Sequence, residues 1–453
     1  MLKLDLLVAE IGSTTTVVNA FTDIENYGRF LGQGQAATTV SEGNVNIGLQ
    51  DAIDDLEKSL NEKVEYKELL ATSSAAGGLK MTVHGLVYDM TVKAAKEAAL
   101  GAGANIKSIT AGKLRQSDLK KIKEINPNII LIAGGVDYGE RDTALHNSEL
   151  IAGLNLNIPI IYAGNLENQD EIRELFKGRD SEIFIVENVY PKIDELNIEP
   201  TRKIIQDVFE KHITRAPGME KLREMVTGQI MPTPGAVMEA SKLLYDDIGN
   251  LITIDVGGAT TDIHSVTEES EEISRILLNP EPLAKRTVEG DLGVYINMKN
   301  IVDMLGIDTL LKEMNIDQDE LNSLTSKHKP IPETDLEIKF VEVLTKYASL
   351  TALSRHAGTI KHLYGPGGKN TIAMGKDLSQ AKYIIGTGGA LTRLPKKIKI
   401  IKELPTLNKG NQLFPNTDAH VLIDNDYILA SLGVMSMKYK KAALNILKEN
   451  LNI

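Results

Sequence analysis

One short sequence pattern occurs twice in the chain, about 245 residues apart. The first copy reads Glu10-Ile11-Gly12-Ser13-Thr14-Thr15-Thr16, and the second reads Asp255-Val256-Gly257-Gly258-Ala259-Thr260-Thr261-Asp262. Each copy places an acidic residue at the end of an apolar run, then a tight glycine-containing turn, then Thr-Thr at the start of the return strand. Apolar runs separated by such a turn are typical of a β-hairpin. The repeat therefore predicts two hairpins on two related lobes, and the 453 residues are enough for about three domains.

Both turns have a composition suited to binding phosphate. Glycines let backbone amides approach an anion without a Cβ in the way, and Ser or Thr hydroxyls add donors. Because a carboxylate repels phosphate, Glu10 and Asp255 are candidates for holding a hydrated Mg²⁺ that bridges the phosphate oxygens. Either turn alone could be a plain hairpin turn, but the matched pair favours phosphate binding. The candidate phosphate-binding residues are Gly12, Ser13, Thr14 and Thr15 in the first turn, and Gly257, Gly258, Ala259 and Thr260 in the second.

Between the two hairpins, short apolar runs alternate with helical patterns. The apolar runs are residues 69–72, 106–110, 129–133, 158–162 and 183–186, and the clearest helical stretches are 91–100, 117–125, 143–153 and 168–176. Alternation at this pitch predicts a parallel α/β unit with its own core. Gly77-Gly78 and Gly134-Gly135 at its strand ends could cradle a ligand, or could simply form turns.

The predicted fold class is α/β, with two lobes and an inserted parallel α/β domain. Residues 193–248 are predicted to continue the first lobe and to include a connecting helix, and one final helix is predicted over residues 427–441. The predicted bounds are 1–64 for the N-terminal part of the first lobe, 65–192 for the inserted domain, 193–248 for the rest of the first lobe, 249–425 for the second lobe and 426–453 for a C-terminal connecting helix.

The composition excludes several classes of protein. The formal net charge is −12, which disfavours binding to the phosphate backbone of nucleic acid. Cysteine is absent, so thiol nucleophiles, disulfides, iron–sulfur clusters and thiolate zinc sites are excluded. The apolar runs are far shorter than the ~20 residues that span a bilayer, and the N-terminal segment lacks the features of a signal peptide. A cytoplasmic protein without a membrane partner is therefore expected.

The paired hairpins resemble the phosphate-1 and phosphate-2 loops of the actin-like ATPase superfamily, which includes actin, heat-shock chaperones and sugar kinases. Three further segments follow in the superfamily's order: residues 231–237 resemble the start of its first connecting helix, residues 385–390 its adenosine loop, and residues 430–433 its second connecting helix, where small residues permit close helix crossing. The resemblance implies two ribonuclease H-like lobes that close on Mg·ATP. It also implies that Glu10 and Asp255 hold Mg²⁺ through water and that the adenosine packs on Gly386, Gly388 and Gly389.

More closely, the chain is similar to the glutamate mutase-associated MutL/GlmL family. The stretches that carry this similarity are residues 73–79, 98–104, 133–137 and 287–293. The resemblance implies an ATP-dependent chaperone that reactivates a cobalamin-dependent mutase or aminomutase, with ATP and Mg²⁺ as cofactors. The mutase would be the protein partner, engaged by the inserted domain. The sequence leaves open which mutase is the client and whether the chain forms a homodimer.

Two further acids and two departures from the superfamily pattern bear on catalysis. Glu289 and Asp291 lie about 30 residues beyond the second turn, where the superfamily has an acid-containing turn near the nucleotide. They join Glu10 and Asp255 as catalytic candidates, although acids are also common at helix N-termini. Glu10 stands where the superfamily usually has Asp, and Met231 stands where chaperones place Glu. ATP binding is therefore better supported than fast hydrolysis.

Two other functions stay open at this level. One is a small-molecule kinase of the same fold, and the other is a nucleotide-gated scaffold that binds its partner without hydrolysing ATP. Asp262 could orient the second turn or simply hydrogen-bond the hairpin. Arg355 and His356 are expected to pack or pair at the surface, because the histidines show no metal-ligand spacing.

Overall fold

The chain divides into two compact units, as seen in a computed structural model. Unit 1 comprises Met1–Ala240 and Ala430–Ile446, and unit 2 comprises Ser241–Leu429 and Leu447–Ile453. Within the described ranges no helix is both long and apolar enough to cross a membrane. The structure describes residues 1–12, 15–39, 43–74, 79–102, 104–213, 220–228, 230–365, 368–408 and 410–453.

Seventeen strands are found in these ranges. Unit 1 contains β1 (Leu2–Ile11), β2 (Thr15–Thr22), β3 (Arg29–Ala37), β4 (Val64–Ser73), β5 (Leu79–Gly85), β6 (Ala104–Ala111), β7 (Ile129–Ile132), β8 (Ile160–Tyr162), β9 (Ile183–Ile185) and β10 (Ile230–Pro232). Unit 2 contains β11 (Leu251–Val256), β12 (Thr261–Val266), β13 (Ala284–Glu289), β14 (Thr359–Gly365), β15 (Gly368–Met374), β16 (Tyr383–Thr387) and β17 (His420–Ile423).

The helices of the described ranges connect these strands. From the N-terminus to the start of unit 2 they are α1 (Val45–Leu60), α2 (Lys93–Gly101), α3 (Gln116–Ile125), α4 (Asp142–Ala152), α5 (Gln169–Phe176), α6 (Glu199–Ile213), α7 (Glu220–Met225) and α8 (Thr233–Ile248). The remaining helices are α9 (Glu271–Ser274), α10 (Met298–Leu305), α11 (Ile307–Met314), α12 (Gln318–Ser326), α13 (Asp335–His356), α14 (Gly388–Arg393), α15 (Lys397–Glu403), α16 (Leu429–Ser436) and α17 (Lys440–Leu451).

The two units contain sheets of the same design. Their strand orders are β3-β2-β1-β4-β10 in unit 1 and β13-β12-β11-β16-β17 in unit 2. Counted along the chain, the first strand of each sheet (β1 or β11) pairs antiparallel with the second (β2 or β12) and parallel with the fourth (β4 or β16). The second strand pairs antiparallel with the third (β3 or β13), and the fourth pairs parallel with the fifth (β10 or β17). Both predicted hairpins and the predicted relation between the two lobes are confirmed, because the sequence repeat lies at equivalent places in matching sheets.

Unit 1 also contains a second sheet, which is entirely parallel. Its order is β6-β5-β7-β8-β9, with helices between successive strands, so it is a doubly wound α/β unit as predicted. The predicted strand at residues 69–72 exists as part of β4, but it pairs with β1 in the first sheet. The structure adds β5, which the sequence analysis did not identify as a strand. The bounds of the predicted domains stay predictions.

The inserted sheet is buried on both faces. In β7, Ile129 and Leu131 pack into the large core of unit 1, whereas Ile130 and Ile132 pack into a second core beneath α3, α4 and α5. Continuous apolar strands of this kind are typical of parallel sheets covered by helices on both sides. This packing fixes the carboxyl ends of β5 to β9 along one edge.

Unit 2 has its own core around α13. Phe340, Leu344 and Leu353 of this helix pack with Ile252 and Ile254 of β11. The helix begins at a capping box, because the Thr334 side chain accepts from the Glu337 N–H and the Glu337 side chain accepts from the Thr334 N–H. At the other end of the chain, the single helix predicted over residues 427–441 is wrong, since α16 ends at Ser436 and α17 begins at Lys440. Lys438 and Tyr439, between the two helices, both bond the Glu68 carboxylate at 2.7 Å, which ties this break to β4.

Candidate functional site

The two repeated turns close in the same way. The Gly12 N–H donates to the Thr15 carbonyl at 2.9 Å, and the Gly257 N–H donates to the Thr260 carbonyl at 2.9 Å. Each leading acid lies two residues before its turn glycine, and Asp255 is paired in register with Asp262. The predicted residues Ser13 and Thr14 lie outside the described residues. Backbone geometry therefore supports the equivalence of the two turns that the sequence repeat indicates.

The turn in unit 2 is held by hydrogen bonds from residues 294–297. The N–H groups of Val294 and Ile296 donate to the carbonyls of Gly257 and Gly258, at 3.2 and 2.7 Å. The Asn297 amide donates to the Ala259 carbonyl at 2.7 Å. These bonds fix the three consecutive carbonyl groups of the turn.

Two amides of the same turn, those of Gly258 and Ala259, differ from the Gly257 amide that closes it. In the described part of the chain, the N–H groups of Gly258 and Ala259 have no hydrogen-bond partner. Gly293 packs so closely that a Cβ there would overlap the backbone of Gly258 and Ala259. A turn with anchored carbonyls and unpaired successive N–H groups can bind an anion, as in backbone nests.

The predicted adenosine loop lies beside the turn of unit 2. β16 is parallel to β11, and Thr387 is in register with Asp255. Gly388 follows with φ +83°, and a Cβ there would overlap Asp255 Oδ1 and lie 2.6 Å from the Val256 N. Gly386 packs against Ile401 and Ile423, whereas a Cβ at Gly389 would meet nothing within 4 Å. The three predicted glycines therefore have three different surroundings.

Asp255 lies among other carboxylates. Its side chain is partly buried at the end of β11. The pKa of Asp255 is raised to about 7, mainly by burial and also by the negative charges of Asp262 and Asp424, while Arg286 opposes the rise. A carboxyl group in such surroundings is stabilised by a cation, which agrees with the predicted Mg²⁺ role.

Asp424, which the sequence analysis missed, organises the same edge of the sheet. It follows β17 directly and is fully buried. Its Oδ2 accepts from the Thr387 hydroxyl at 2.7 Å, and its Oδ1 accepts from the Ile428 N–H at 2.9 Å and the Asn450 amide at 2.7 Å. The sequence pattern that identified Asp255, an acidic residue at the end of an apolar strand, is also present at Asp424 and could have identified it.

Asp262 forms a buried ion pair. Its Oδ2 accepts from Arg286 Nη2 at 2.6 Å, and both side chains are almost completely buried. Because β12 and β13 are neighbours, this pair links the return strand of the hairpin to the next strand of the sheet. The contact supports the structural interpretation of Asp262.

In unit 1, Glu10 is held by α16. Its Oε1 accepts from the Ser431 N–H at 3.1 Å and the Ser431 hydroxyl at 2.6 Å. Asn19 of β2 donates to both Glu10 Oε1 and Ser431 Oγ, at 3.4 and 2.8 Å. The carboxylate predicted to act on Mg²⁺ thus also positions the second connecting helix.

The predicted close crossing of the two connecting helices is present within unit 1. A Cβ at Gly433 of α16 would overlap the carbonyl of Ala236 in α8. Glycine is required there because the helix backbones touch. Met231, two residues before α8, is completely buried in β10, which pairs with β4. Its thioether provides no base for hydrolysis at this position.

The acids Glu289 and Asp291 form an ion-pair cluster with Arg355. Arg355 Nη1 donates to Glu289 Oε2 at 2.6 Å and to Asp291 Oδ1 at 2.8 Å. The Arg355 guanidinium lowers the pKa of Asp291, whereas burial raises the pKa of Glu289 despite the same partner. The cluster links the C-terminal end of α13 to residues 289–291, which lie a few positions before residues 294–297, the segment that holds the unit 2 turn. Arg355 pairs at the surface as predicted.

His356 differs from its predicted surface position. It is buried, with Nε2 hydrogen-bonded to the Ser265 hydroxyl at 2.8 Å and Nδ1 to the Thr287 hydroxyl at 3.0 Å. The position faces the sheet because it ends a long helix whose core face packs on β12. Its role is therefore to join α13 to β12 and β13.

The described residues contain no group of three or more His, Asp or Glu side chains arranged to hold a metal ion. Mg²⁺ usually keeps several water ligands and binds through one or two carboxylates together with substrate phosphates. The surroundings of Asp255 therefore fit a hydrated Mg²⁺ brought in with a nucleotide. The catalytic and binding roles of the predicted residues stay predictions.

Similarity to known proteins covers nearly the whole chain. Protein MutL from Clostridium tetanomorphum is 38% identical over an alignment of 459 positions, which covers 98% of this chain and 98% of that protein. Among solved structures, a nucleotide-free acetone carboxylase has a TM-score of 0.43 at 12% identity, covering 96% of this chain and 70% of that one. Component A of (R)-2-hydroxyglutaryl-CoA dehydratase from Acidaminococcus fermentans has a TM-score of 0.30 at 8% identity, covering 97% and 98%. Such TM-scores support no conclusion about this chain. The family model described as MutL protein matches residues 6–451, and the chain belongs to that family.

Proposed function

We propose that this protein binds ATP with Mg²⁺, hydrolyses it slowly, and uses it to reactivate a cobalamin-dependent mutase or aminomutase. The proposal rests on membership of the MutL family together with the resemblance of the hairpins to nucleotide-binding loops. The observation that carries the ATP part is the unit 2 turn, where two unpaired N–H groups follow a carboxylate whose pKa is raised. The mutase as client comes from the family resemblance alone.

In the proposed site of unit 2, each group has a distinct task. The N–H groups of Gly258 and Ala259 donate to phosphate oxygens, and Asp255 binds a water ligand of Mg²⁺. Gly388 brings the backbone against Asp255, and the open space at Gly389 leaves bare backbone for the adenosine. Mg²⁺ supplies charge neutralisation at the phosphates when it is bound.

Slow hydrolysis is proposed because the described positions offer little to activate water. Met231 is apolar and buried where chaperones have a Glu. One carboxylate oxygen of Glu10 already accepts hydrogen bonds from the hydroxyl and the N–H of Ser431. The same hydrogen bonds suggest how nucleotide binding at this carboxylate could move α16, which is the conformational output a reactivating factor needs.

The proposal is tested by replacing Asp255 with Asn. The variant keeps the size of the side chain but removes the charge, so MgATP binding measured by calorimetry should weaken at least about tenfold. ATP-dependent reactivation of a purified cobalamin-dependent mutase with damaged cofactor should disappear. The exposed Asp303→Asn is the matched control and should behave as the parent protein. Unchanged reactivation by the Asp255 variant would refute the assignment.

A nucleotide-gated scaffold is the second candidate function. The burial of Met231 and the hydrogen bonds on Glu10 favour it, since both leave hydrolysis without an evident base. Under this alternative, MgATP binds and promotes mutase binding, but phosphate release over hours stays at the level of a protein-free control. Mutase reactivation that needs ATP and fails with a non-hydrolysable analogue would exclude the scaffold.

A further inference from the structure

Five exposed apolar side chains lie on the segments that follow neighbouring strands of the inserted sheet, where Tyr88 begins a short π-helix and Leu166 a short 3-10 helix. These residues, here called the carboxyl-edge surface, are Val87, Tyr88, Tyr138, Leu166 and Ile193, with exposed fractions of 42, 59, 75, 47 and 70%. They follow β5, β7, β8 and β9, which are neighbours in one parallel sheet. Their loops therefore lie side by side at the edge where parallel α/β sheets bind their ligands and partners.

Hydrogen bonds of the half-buried Asp137 and the buried Asn165 and Asn188 link three of these loops. Asp137 Oδ1, after β7, accepts from the Leu166 N–H at 2.9 Å and from the Asn188 amide at 3.0 Å. Asn165, after β8, accepts from the Tyr138 N–H at 3.3 Å. The Asp137 N–H donates to the Pro191 carbonyl at 2.9 Å, which joins the β7 and β9 loops. The loops are thus fixed before any partner binds.

Tyr138 is the clearest sign that the surface is built for contact. It has φ +61°, a left-handed conformation that costs free energy for a residue with a large side chain. Yet Tyr138 is the most exposed of the five residues, at 75%, so packing inside the protein does not explain its left-handed backbone conformation. An exposed aromatic side chain on a backbone fixed by hydrogen bonds is typical of an anchor residue in a protein interface.

The charges around the surface indicate what it binds. Exposed acids accompany every one of these loops, and they are Asp89, Glu140, Glu167, Glu187 and Asp194. Lys192 is already paired with Glu195 at 3.2 Å, and Arg141 is paired with Glu167 at 3.9 Å and with Glu171 at 3.7 Å, so both of these cations are neutralised within the chain. An apolar centre with an acidic border complements a protein surface that has an apolar centre and a border of Lys and Arg. A second copy of this chain, with net charge −12, and nucleic acid would both be repelled.

We infer that the carboxyl-edge surface is the docking site for the protein partner, which presents an apolar patch bordered by basic residues. The inference rests on the proposed function for the existence of a client and adds where the client binds and what its surface is like. Val87 and Tyr88, on the β5 loop, extend the contact along the sheet edge. The ATP-binding groups described above are outside this surface.

The first test is photo-crosslinking with the full-length chain. Tyr138 is replaced by benzoylphenylalanine, and Ile331, which is 52% exposed in unit 2, carries the same group as the control. Mass spectrometry then identifies the crosslinked peptide. We expect an adduct at position 138 with a protein whose crosslinked region is rich in Lys and Arg, and no such adduct at position 331.

The second test measures affinity for the purified partner found in this way. Leu166→Ser with Ile193→Ser should weaken binding at least about tenfold, since apolar anchors dominate interfaces. Glu140→Lys with Glu167→Lys should slow association, and this effect should fall as salt rises. Ile331→Ser and Asp303→Lys are the controls and should bind within about twofold of the parent chain. Thermal melting of every variant confirms that the chain is folded.

The outcomes separate this inference from the proposed function. An adduct with a cobalamin-dependent mutase supports both. A basic partner that is not a mutase overturns the proposed client, and it supports the docking surface only when the Leu166→Ser with Ile193→Ser variant also weakens its binding. An absent adduct, an adduct with a second copy, an acidic crosslinked region, or parent-like affinity of the serine variant overturns the docking surface, whatever the reactivation assay shows.

Discussion

At the scale of single residues, two neighbouring glycines of the predicted adenosine loop have different reasons to be glycine. Gly388 has φ +83°, and a Cβ there would lie 2.6 Å from the Val256 N. Gly389 lies within α14 with open space around its Cβ position. The first glycine is therefore required by the fold, whereas the second is free to change unless a ligand covers it.

Gly388→Ala should destabilise unit 2 by about 1–3 kcal/mol, because both the left-handed backbone and the neighbouring strand oppose a side chain. Gly389→Ala should leave stability unchanged or raise it by up to about 1 kcal/mol, because alanine favours a helix. Chemical denaturation without nucleotide compares the two. Equal destabilisation by both substitutions would contradict the geometry given for Gly388. Weaker MgATP binding by the stable Gly389 variant would support its role as bare backbone for adenosine.

Residues of the candidate site were predictable where the pattern is local. Glu10, Asp255 and the turn glycines each lie within a few positions of one another, so the sequence repeat was enough to find them. Their partners come from far along the chain, and Ser431, for example, is 421 residues from Glu10. Arg355 lies 66 residues beyond Glu289 and joined the acids only through the packing of α13 on the sheet. Such pairs depend on tertiary structure and leave no local signal.

At the scale of elements, β5 shows why one strand of the inserted sheet was missed. It reads Leu79-Lys80-Met81-Thr82-Val83-His84-Gly85, and alternate polar residues are typical of a strand with one face in water. In the structure, Thr82 and His84 are completely buried. They satisfy each other, since His84 Nε2 is hydrogen-bonded to the Thr82 hydroxyl at 3.0 Å and Nδ1 to the Thr110 hydroxyl at 2.8 Å. The neighbouring β7 is entirely apolar, and runs such as this one made the alternation of the region visible without β5.

The buried His84 predicts how the stability of unit 1 depends on pH. Burial lowers the pKa of His84 from 6.5 to about 4, with the charge of Asp118 opposing the change slightly. The neutral ring is therefore favoured in the folded state, and its contribution is complete above about pH 6.5 and is lost as the pH falls towards 4. The loss over this window is about 3 kcal/mol as an upper figure.

His84→Gln should lower stability at pH 7 and reduce the further loss between pH 7 and pH 5, as measured by urea unfolding. Met81→Leu, in the same buried strand, is the control, because a side chain that does not titrate should shift stability equally at both pH values. If the glutamine variant showed the same pH dependence as the parent chain, the acid sensitivity would have to come from other groups.

At the scale of the whole molecule, each unit has a core of its own. The large core of unit 1 includes Leu7, Leu49 and Leu131, whereas that of unit 2 includes Ile254, Leu344 and Ile384. The sequence repeat predicted this duplication, and the matching strand orders confirm it. Separate cores of this size predict two unfolding transitions in calorimetry. The destabilised variants assign them, since His84→Gln should lower the transition of unit 1 and Gly388→Ala that of unit 2.

The two transitions make it possible to locate nucleotide binding. If the anion-binding turn, Asp255 and Gly388 act together, MgATP at about 100 times its Kd should stabilise the unit 2 transition by about 2.7 kcal/mol. At the same MgATP concentration, Asp255→Asn should reduce this shift to about 1.4 kcal/mol or less, which corresponds to binding weakened about tenfold or more. The His84→Gln variant should keep the full shift, because His84 lies on the inserted sheet. ADP without Mg²⁺ should give a smaller shift than MgATP, since the carboxylate then faces the phosphates without the cation between them. An undiminished shift in the Asp255 variant would show that the nucleotide binds without the charge of this carboxylate, and the role assigned to Asp255 would then be wrong.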